Sequence, residues 1–197
     1  MNDTFPNFDR PVPSGGYAWW YVDGISDDGK NALTLIAFVG SVFSPYYAWA
    51  RRRGATDPLD FCALNVALYR EGGKRWAMTE RGRNDIRRTA TDFIVGPSAL
   101  TWDGDALTIH IDEVSVPLPS KIRGSVRIRP SMLANHEVVL NPEGHHRWHG
   151  IAPSARIEVD FSHPNLRWQG EGYLDSNTGQ APLEGGFTHW TWSRASL

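Results

Sequence analysis

A single cysteine in 197 residues excludes a disulfide scaffold. Cys62 lies in the apolar run Phe61-Cys62-Ala63-Leu64 and reads as a small buried hydrophobe. Nucleotide signatures are missing: no Gly-x-Gly-x-x-Gly follows a strand and opens a helix, and no phosphate loop occurs. The absence of a Gly-x-Ser-x-Gly elbow argues equally against serine-hydrolase chemistry. The most apolar window, Ala32 to Phe43, falls well short of the ~20 residues that a membrane-spanning helix needs. Residues 1–16, an N-terminal extension ahead of the first strand signal, hold no basic segment followed by an apolar run, so a cytoplasmic location is expected. The net charge of −2 argues against general nucleic-acid binding.

Long amphipathic helices are also lacking, the one short helical candidate being Arg83 to Arg88. Period-two alternation takes their place. In Lys121 to Arg129, Ile122, Val126 and Ile128 oppose Lys121, Arg123, Arg127 and Arg129, and similar patterns mark Leu107 to Val114 and Ala155 to Phe161. Further strand candidates are Tyr17 to Asp23, Ala32 to Val39, Cys62 to Tyr69, Arg75 to Thr79, Phe93 to Val95, Glu137 to Leu140, Leu166 to Tyr173 and Phe187 to Trp192. Turn chemistry separates them at Asp27-Asp28-Gly29, Glu71-Gly72-Gly73, Asp103-Gly104, Asn141-Pro142-Glu143-Gly144 and Ser176-Asn177-Thr178-Gly179. The pattern predicts an all-β, antiparallel barrel or sandwich, because a meander closed on itself leaves no long exposed edge.

Chemistry concentrates in Gly172-Tyr173-Leu174-Asp175-Ser176-Asn177. On a strand, Gln169, Glu171, Tyr173 and Asp175 share one face and Trp168 takes the other. Asp175 has two readings: a turn residue whose carboxylate bonds backbone N–H groups, or a protonated acid set among aromatics. Nine tryptophans exceed what a β core needs. Trp19, Trp20, Trp148 and Trp168 either fill the barrel or line an apolar pocket. His145, His146 and His149 form a dense cluster in a predicted loop, but H-H-x-x-H matches no metal spacing, and hydrogen bonding explains them as well. No metal site is expected. The basic segment Arg51 to Arg88 reads as a solvated face, or, where Arg51-Arg52-Arg53 follows Tyr46-Tyr47-Ala48-Trp49, as a contact for anionic lipid. Glu80, flanked by Arg81 and Arg83, reads as an ion-pair member, and Asp23 as a strand end.

Longer blocks carry a resemblance: WWYVD (Trp19 to Asp23), AFVGSVFSPYYAW (Ala37 to Trp49), CALNVALY (Cys62 to Tyr69), MTERGR (Met78 to Arg83), VGPS (Val95 to Ser98), IAPSARIEV (Ile151 to Val159), GYLDSN and WTWSR (Trp190 to Arg194). Through them the chain resembles the carotenoid 1,2-hydratases, or hydroxyneurosporene synthases, of phototrophic bacteria. The resemblance implies a lipocalin-like fold over residues 17–197, with a second family domain following Leu197. It implies water addition to the terminal C1=C2 bond of an acyclic carotenoid such as neurosporene or lycopene, with no cofactor. Asp175 would be the general acid, and Tyr173, Trp148 and Trp168 would face the cation, with Trp19 and Trp20 lining the substrate site. A non-catalytic binder of carotenoids or other isoprenoids is the alternative. A substrate that resides in lipid also implies peripheral contact with the inner or photosynthetic membrane.

Overall fold

Apolar positions spaced two apart along successive strands converge on one interior. The computed structural model describes residues 5–194, which build a twelve-stranded sheet. Its strands are β1 (Tyr17–Ser26), β2 (Asn31–Val39), β3 (Cys62–Arg70), β4 (Gly73–Arg81), β5 (Ile86–Arg88), β6 (Asp92–Val95), β7 (Ser98–Trp102), β8 (Leu107–Val114), β9 (Lys121–Pro130), β10 (His136–Val139), β11 (His146–His163) and β12 (Leu166–Gly179). The order is β4-β3-β2-β1-β12-β11-β9-β8-β7-β6-β5, with β10 on the flank of β11. Every pairing is antiparallel. The sheet curls until β4 meets the β8–β9 hairpin: the Val116 N–H donates to the Trp76 carbonyl at 2.9 Å, Arg75 donates to the Lys121 carbonyl at 2.8 Å, and Arg81 pairs with Glu113. The result is a nearly closed, lipocalin-like barrel.

The barrel is filled. Val22, Leu35, Leu64, Val66, Ile109, Val126, Ile128, Ile157 and Phe161 pack in a contiguous core that also takes in Trp20 and Trp168. Phe8, from the segment ahead of β1, closes it with edge contacts to Trp20 at 4.9 Å, and the Trp20 indole donates to the Pro6 carbonyl. For Trp20 and Trp168 the barrel-filling alternative therefore holds.

Several boundaries move. Ser176 to Gly179 continues β12 instead of turning, and His146 and His149 lie in β11, with His145 in the loop just ahead of it. In both places pairing across the sheet overrides local turn composition: Asp175, Ser176, Asn177, Thr178 and Gly179 are paired with β1 on one side and with β11 residues 146–150 on the other. Residues 83–85 form a single 3-10 turn before β5, and 187–194 form neither helix nor strand. A short helix, α1 (Pro45–Arg51), was not expected. Ser44 caps it by accepting from the Tyr47 N–H at 3.0 Å, and Pro45 sits in its first turn. Glu80 joins neither expected ion pair, since Arg81 reaches Glu113 and Arg83 reaches Asp57 and Asp60. Among the described residues no helix is long and apolar enough to cross a membrane.

Glycine decides how closely β1 and β12 approach. A Cβ on Gly170 would lie 1.9 Å from the Ile25 carbonyl oxygen and 2.8 Å from the Ser26 Cα, and backbone atoms cannot rotate away. Gly170→Ala is expected to destabilise the fold by about 1–3 kcal/mol, measured by urea unfolding.

Candidate active site on the outer face of the barrel

The interior is packed, and the candidate site lies on the outer face. On β12, Gly172 and Leu174 face inward, and Tyr173, Asp175 and Asn177 face outward; all five are buried. The neighbouring strands bring partners into register. Tyr21 of β1 lies opposite Asp175, Asp23 opposite Tyr173 and Trp19 opposite Asn177; on the other side Gly150 of β11 lies opposite Asp175. Segment 187–194 supplies the roof: Trp192 lies 5.1 Å from the Tyr21 ring and 5.6 Å from that of Tyr173. Arg194 fastens this segment by donating to Asp23 Oδ1 from both Nε and Nη2, at 3.1 and 2.8 Å.

Asp175 sits 2% exposed at the centre. Its Oδ2 accepts two hydrogen bonds, from Trp148 Nε1 and from the Tyr173 hydroxyl, each at 2.9 Å. Its Oδ1 is buried and makes no hydrogen bond of ordinary length and angle, while the Trp192 side chain adds a weaker third donor to the carboxyl. Burial pushes the carboxyl up to about 6; the two donors, which favour the anion, pull the other way, as does the nearby Trp192, while the Asp23 charge adds to the rise. Burial likewise raises the Tyr173 phenol, reinforced by the Asp175 charge, so Tyr173 stays a donor. The donor Trp148 is aimed by a gap in β11. A Cβ on Gly150 would lie 2.8 Å from the Trp148 ring, and the register of β11 against β12 shifts just beyond Gly150, where the strand bulges.

Asp175 and Asn177 open into a cavity of about 180 Å³ walled by Trp19, Tyr21, Ile36, Phe38, Phe43, Trp190 and Trp192. Beyond Trp192 a second hollow of about 310 Å³ continues along the same outer face, lined by Asp23, Ile25, Thr34, Tyr69, Glu171 and Arg194. Of the residues expected at a site, Asp175, Tyr173, Trp148 and Trp19 meet here. Trp20 and Trp168 do not, since both point into the core on the opposite faces of β1 and β12. Tyr21, Asp23, Phe38, Phe43 and Asn177 were missed, although period two from Trp19 already puts Tyr21 and Asp23 beside it. The histidines diverge: His146 accepts or donates at Nδ1 to the buried Tyr17 hydroxyl at 2.8 Å, and His149 meets Glu137 at 2.7 Å. Among the described residues no group of three or more His, Cys, Asp or Glu could hold a metal.

Residues 35–197 match the family model of the carotenoid hydratase CrtC. The chain belongs to this family. It is 56% identical over 191 residues to the acyclic carotenoid 1,2-hydratase of Thiocapsa roseopersicina, covering 97% of this chain and 47% of that protein. To the acyclic carotenoid 1,2-hydratase of Rubrivivax gelatinosus it is 54% identical over 194 residues, covering 98% and 48%. This CrtC-family chain thus spans about half the length of these relatives. A crystal structure of an AttH candidate from Nitrosomonas europaea superposes with a TM-score of 0.54 at 14% identity, over 91% of this chain and 55% of that one, and shares the fold alone.

A carboxyl raised by burial makes the folded state easier to protonate than the unfolded one. Between its ordinary value of 3.8 and about 6 the native state holds a proton that the unfolded chain has lost, so Asp175 costs stability as pH rises through that window. Asp175→Asn is expected to gain stability on the wild-type chain by about 2 kcal/mol between pH 4 and pH 8, read from urea unfolding at both.

Proposed function

We propose that this CrtC-family chain hydrates the terminal C1=C2 bond of an acyclic carotenoid such as neurosporene or lycopene, with Asp175 as general acid. The observation that carries the reading is the asymmetry of that carboxyl. Oδ2 is committed to Trp148 and Tyr173, which leaves Oδ1 to carry the proton beside an aromatic cavity. With a value near 6, roughly a tenth of the acid is protonated at pH 7, far more than an ordinary carboxyl would hold.

Protonation of C2 uses the π electrons of the double bond and leaves a tertiary cation at C1. Water then bonds to C1 and returns a proton to the Asp175 carboxylate, so the acid is regenerated. General acid catalysis contributes about 10²- to 10⁴-fold. The rings of Tyr21, Tyr173 and Trp192 add cation–π stabilisation, worth ~2 kcal/mol where water is excluded. The cavity's size suits an end group: it admits the tip of a long polyene, and the adjoining hollow past Trp192 offers a path for the rest of the polyene.

The mouth of this cavity also favours lipid. Phe43 lines it and is exposed, as are Tyr46 and Trp49 on α1. Arg52 and Arg53 are exposed beside them, with Arg53 stacked 3.6 Å above the Trp49 ring. Arg51 does not share this role, since it is held against Tyr47 and Glu184. Tyr46→Ser combined with Trp49→Ser is expected to lower co-sedimentation with anionic liposomes several-fold; unchanged sedimentation removes the lipid contact.

The functional test is incubation with lycopene in detergent, with mass detection of a product heavier by one water. Hydration is expected, and Asp175→Asn, which keeps the shape and loses the acid, should abolish it. The wild-type rate should fall as pH rises through about 6, because the protonated form is the active one. A fully active Asp175→Asn chain ends the proposal.

A further inference from the structure

The water that captures the cation needs a binding group of its own, and Asp175 cannot both deliver the proton and hold that water beforehand. Asn177 stands in the right place. It lies two residues beyond Asp175 on β12, so its side chain leaves the same outer face about 7 Å further along. Two short side chains at that backbone spacing can lean toward one shared water, whose two hydrogen bonds together reach about 5–6 Å. Asn177 is 3% exposed and lines the same cavity as Asp175. Its Nδ2 is buried and has no hydrogen-bond partner among the described residues. Trp19 and Trp148 stand opposite it in register, and Trp19, Tyr21 and Trp192 wall the cavity together with apolar side chains such as Ile36, Phe38 and Phe43.

A buried amide nitrogen without a partner is costly to the fold, and a leucine of similar size would avoid that cost. Asn177 and Asp175 line one largely apolar cavity, and each buries a polar atom, Nδ2 and Oδ1, that no described residue pairs at hydrogen-bond geometry. We propose that Asn177 is the water-positioning residue: Nδ2 donates to the oxygen of the nucleophilic water, which in turn is held toward Asp175 Oδ1. This inference rests on the hydration reading. Once Oδ1 has given its proton to C2, the resulting carboxylate accepts a hydrogen bond from that water. The amide fixes one lone pair of the oxygen and the other is left to form the C1–O bond. The water's proton passes to Oδ1 as the bond forms. Atoms balance as the addition of one H₂O to the alkene, with the acid restored and no co-reactant.

The role separates capture from protonation, and isotopes can tell the two apart. Lycopene is incubated in D₂O with the wild-type chain, Asn177→Leu and Asn177→Ser, and both the product and the recovered alkene are analysed by mass. Asn177→Leu is expected to keep or raise the melting temperature and to hydrate at least about 10-fold more slowly. Its recovered alkene should gain deuterium, because Asp175 still protonates C2 and the uncaptured cation loses a proton back to the carboxylate. Asn177→Ser, which keeps a donor, should hydrate within a few-fold of wild type. Hydration by folded Asn177→Leu at the wild-type rate would overturn the assignment. So would an equal fall in hydration and deuterium uptake, which would place Asn177 in the proton step or in the architecture. If the wild-type chain binds lycopene and gives neither product nor exchange, Asp175 as acid fails first, and the water site falls with it.

Discussion

The central constraint is that β12 is buried on both faces from Gly172 to Asn177. Its inner face meets the barrel core and uses small residues to do so: a Cβ on Gly172 would come within 3.1–3.2 Å of the Ile157 and Ile128 side chains. Its outer face carries Tyr173, Asp175 and Asn177 beneath a second layer built by Trp148, Tyr21 and Trp192. A strand at the sheet centre cannot shed its ladder partners to relieve a buried carboxyl. The cost is instead met by raising the proton affinity of that carboxyl, which is the property a general acid needs.

The roof over the site is tied down at three points. Arg51 pairs with Glu184 at 2.6 Å, Phe187 packs 5.0 Å from the buried His146 ring, and Arg194 clasps Asp23. Gly186 permits the middle contact, since a Cβ there would lie 2.7 Å from His146 Nε2. The final clasp has an electrostatic side. Asp23 lies opposite Tyr173 and its charge raises the proton affinity of Asp175, while Arg194, 5.4 Å over the Tyr173 ring, supplies the counter-charge. Positioning of the roof and the proton affinity of the Asp175 carboxyl are thereby coupled through one ion pair.

Much of this was legible in the sequence where alternation was clean. Ile122, Val126 and Ile128 point inward as their period implied, and the turns at Asp27-Asp28-Gly29 and Asp103-Gly104 join hairpins as their composition implied. Composition misled where pairing with neighbours prevailed: Ser176 to Gly179 looks like a turn and is a strand because both β1 and β11 ladder onto it. The tryptophans could not be sorted by type alone. Trp19 and Trp20 are adjacent, yet one walls the cavity and the other fills the core, a distinction only the pleat makes. The location of the site outside the barrel was also hidden, since an apolar pocket within a barrel leaves the same residues in the sequence. Resemblance pointed to Asp175, whereas the double acceptor at Oδ2 and the unpaired amide of Asn177 emerge only from side chains brought together across three strands.

The proton affinity of Asp175 is the quantity on which the account stands. Selective ¹³C labelling of aspartate, with the Asp175 signal assigned through Asp175→Asn, allows its carboxyl to be titrated directly by NMR. A midpoint near 6, moving upward when Trp148→Phe removes one donor to Oδ2, is the predicted result. A midpoint at or below the ordinary value of 3.8 would mean a carboxylate ionised throughout the working range, and would contradict its role as the acid.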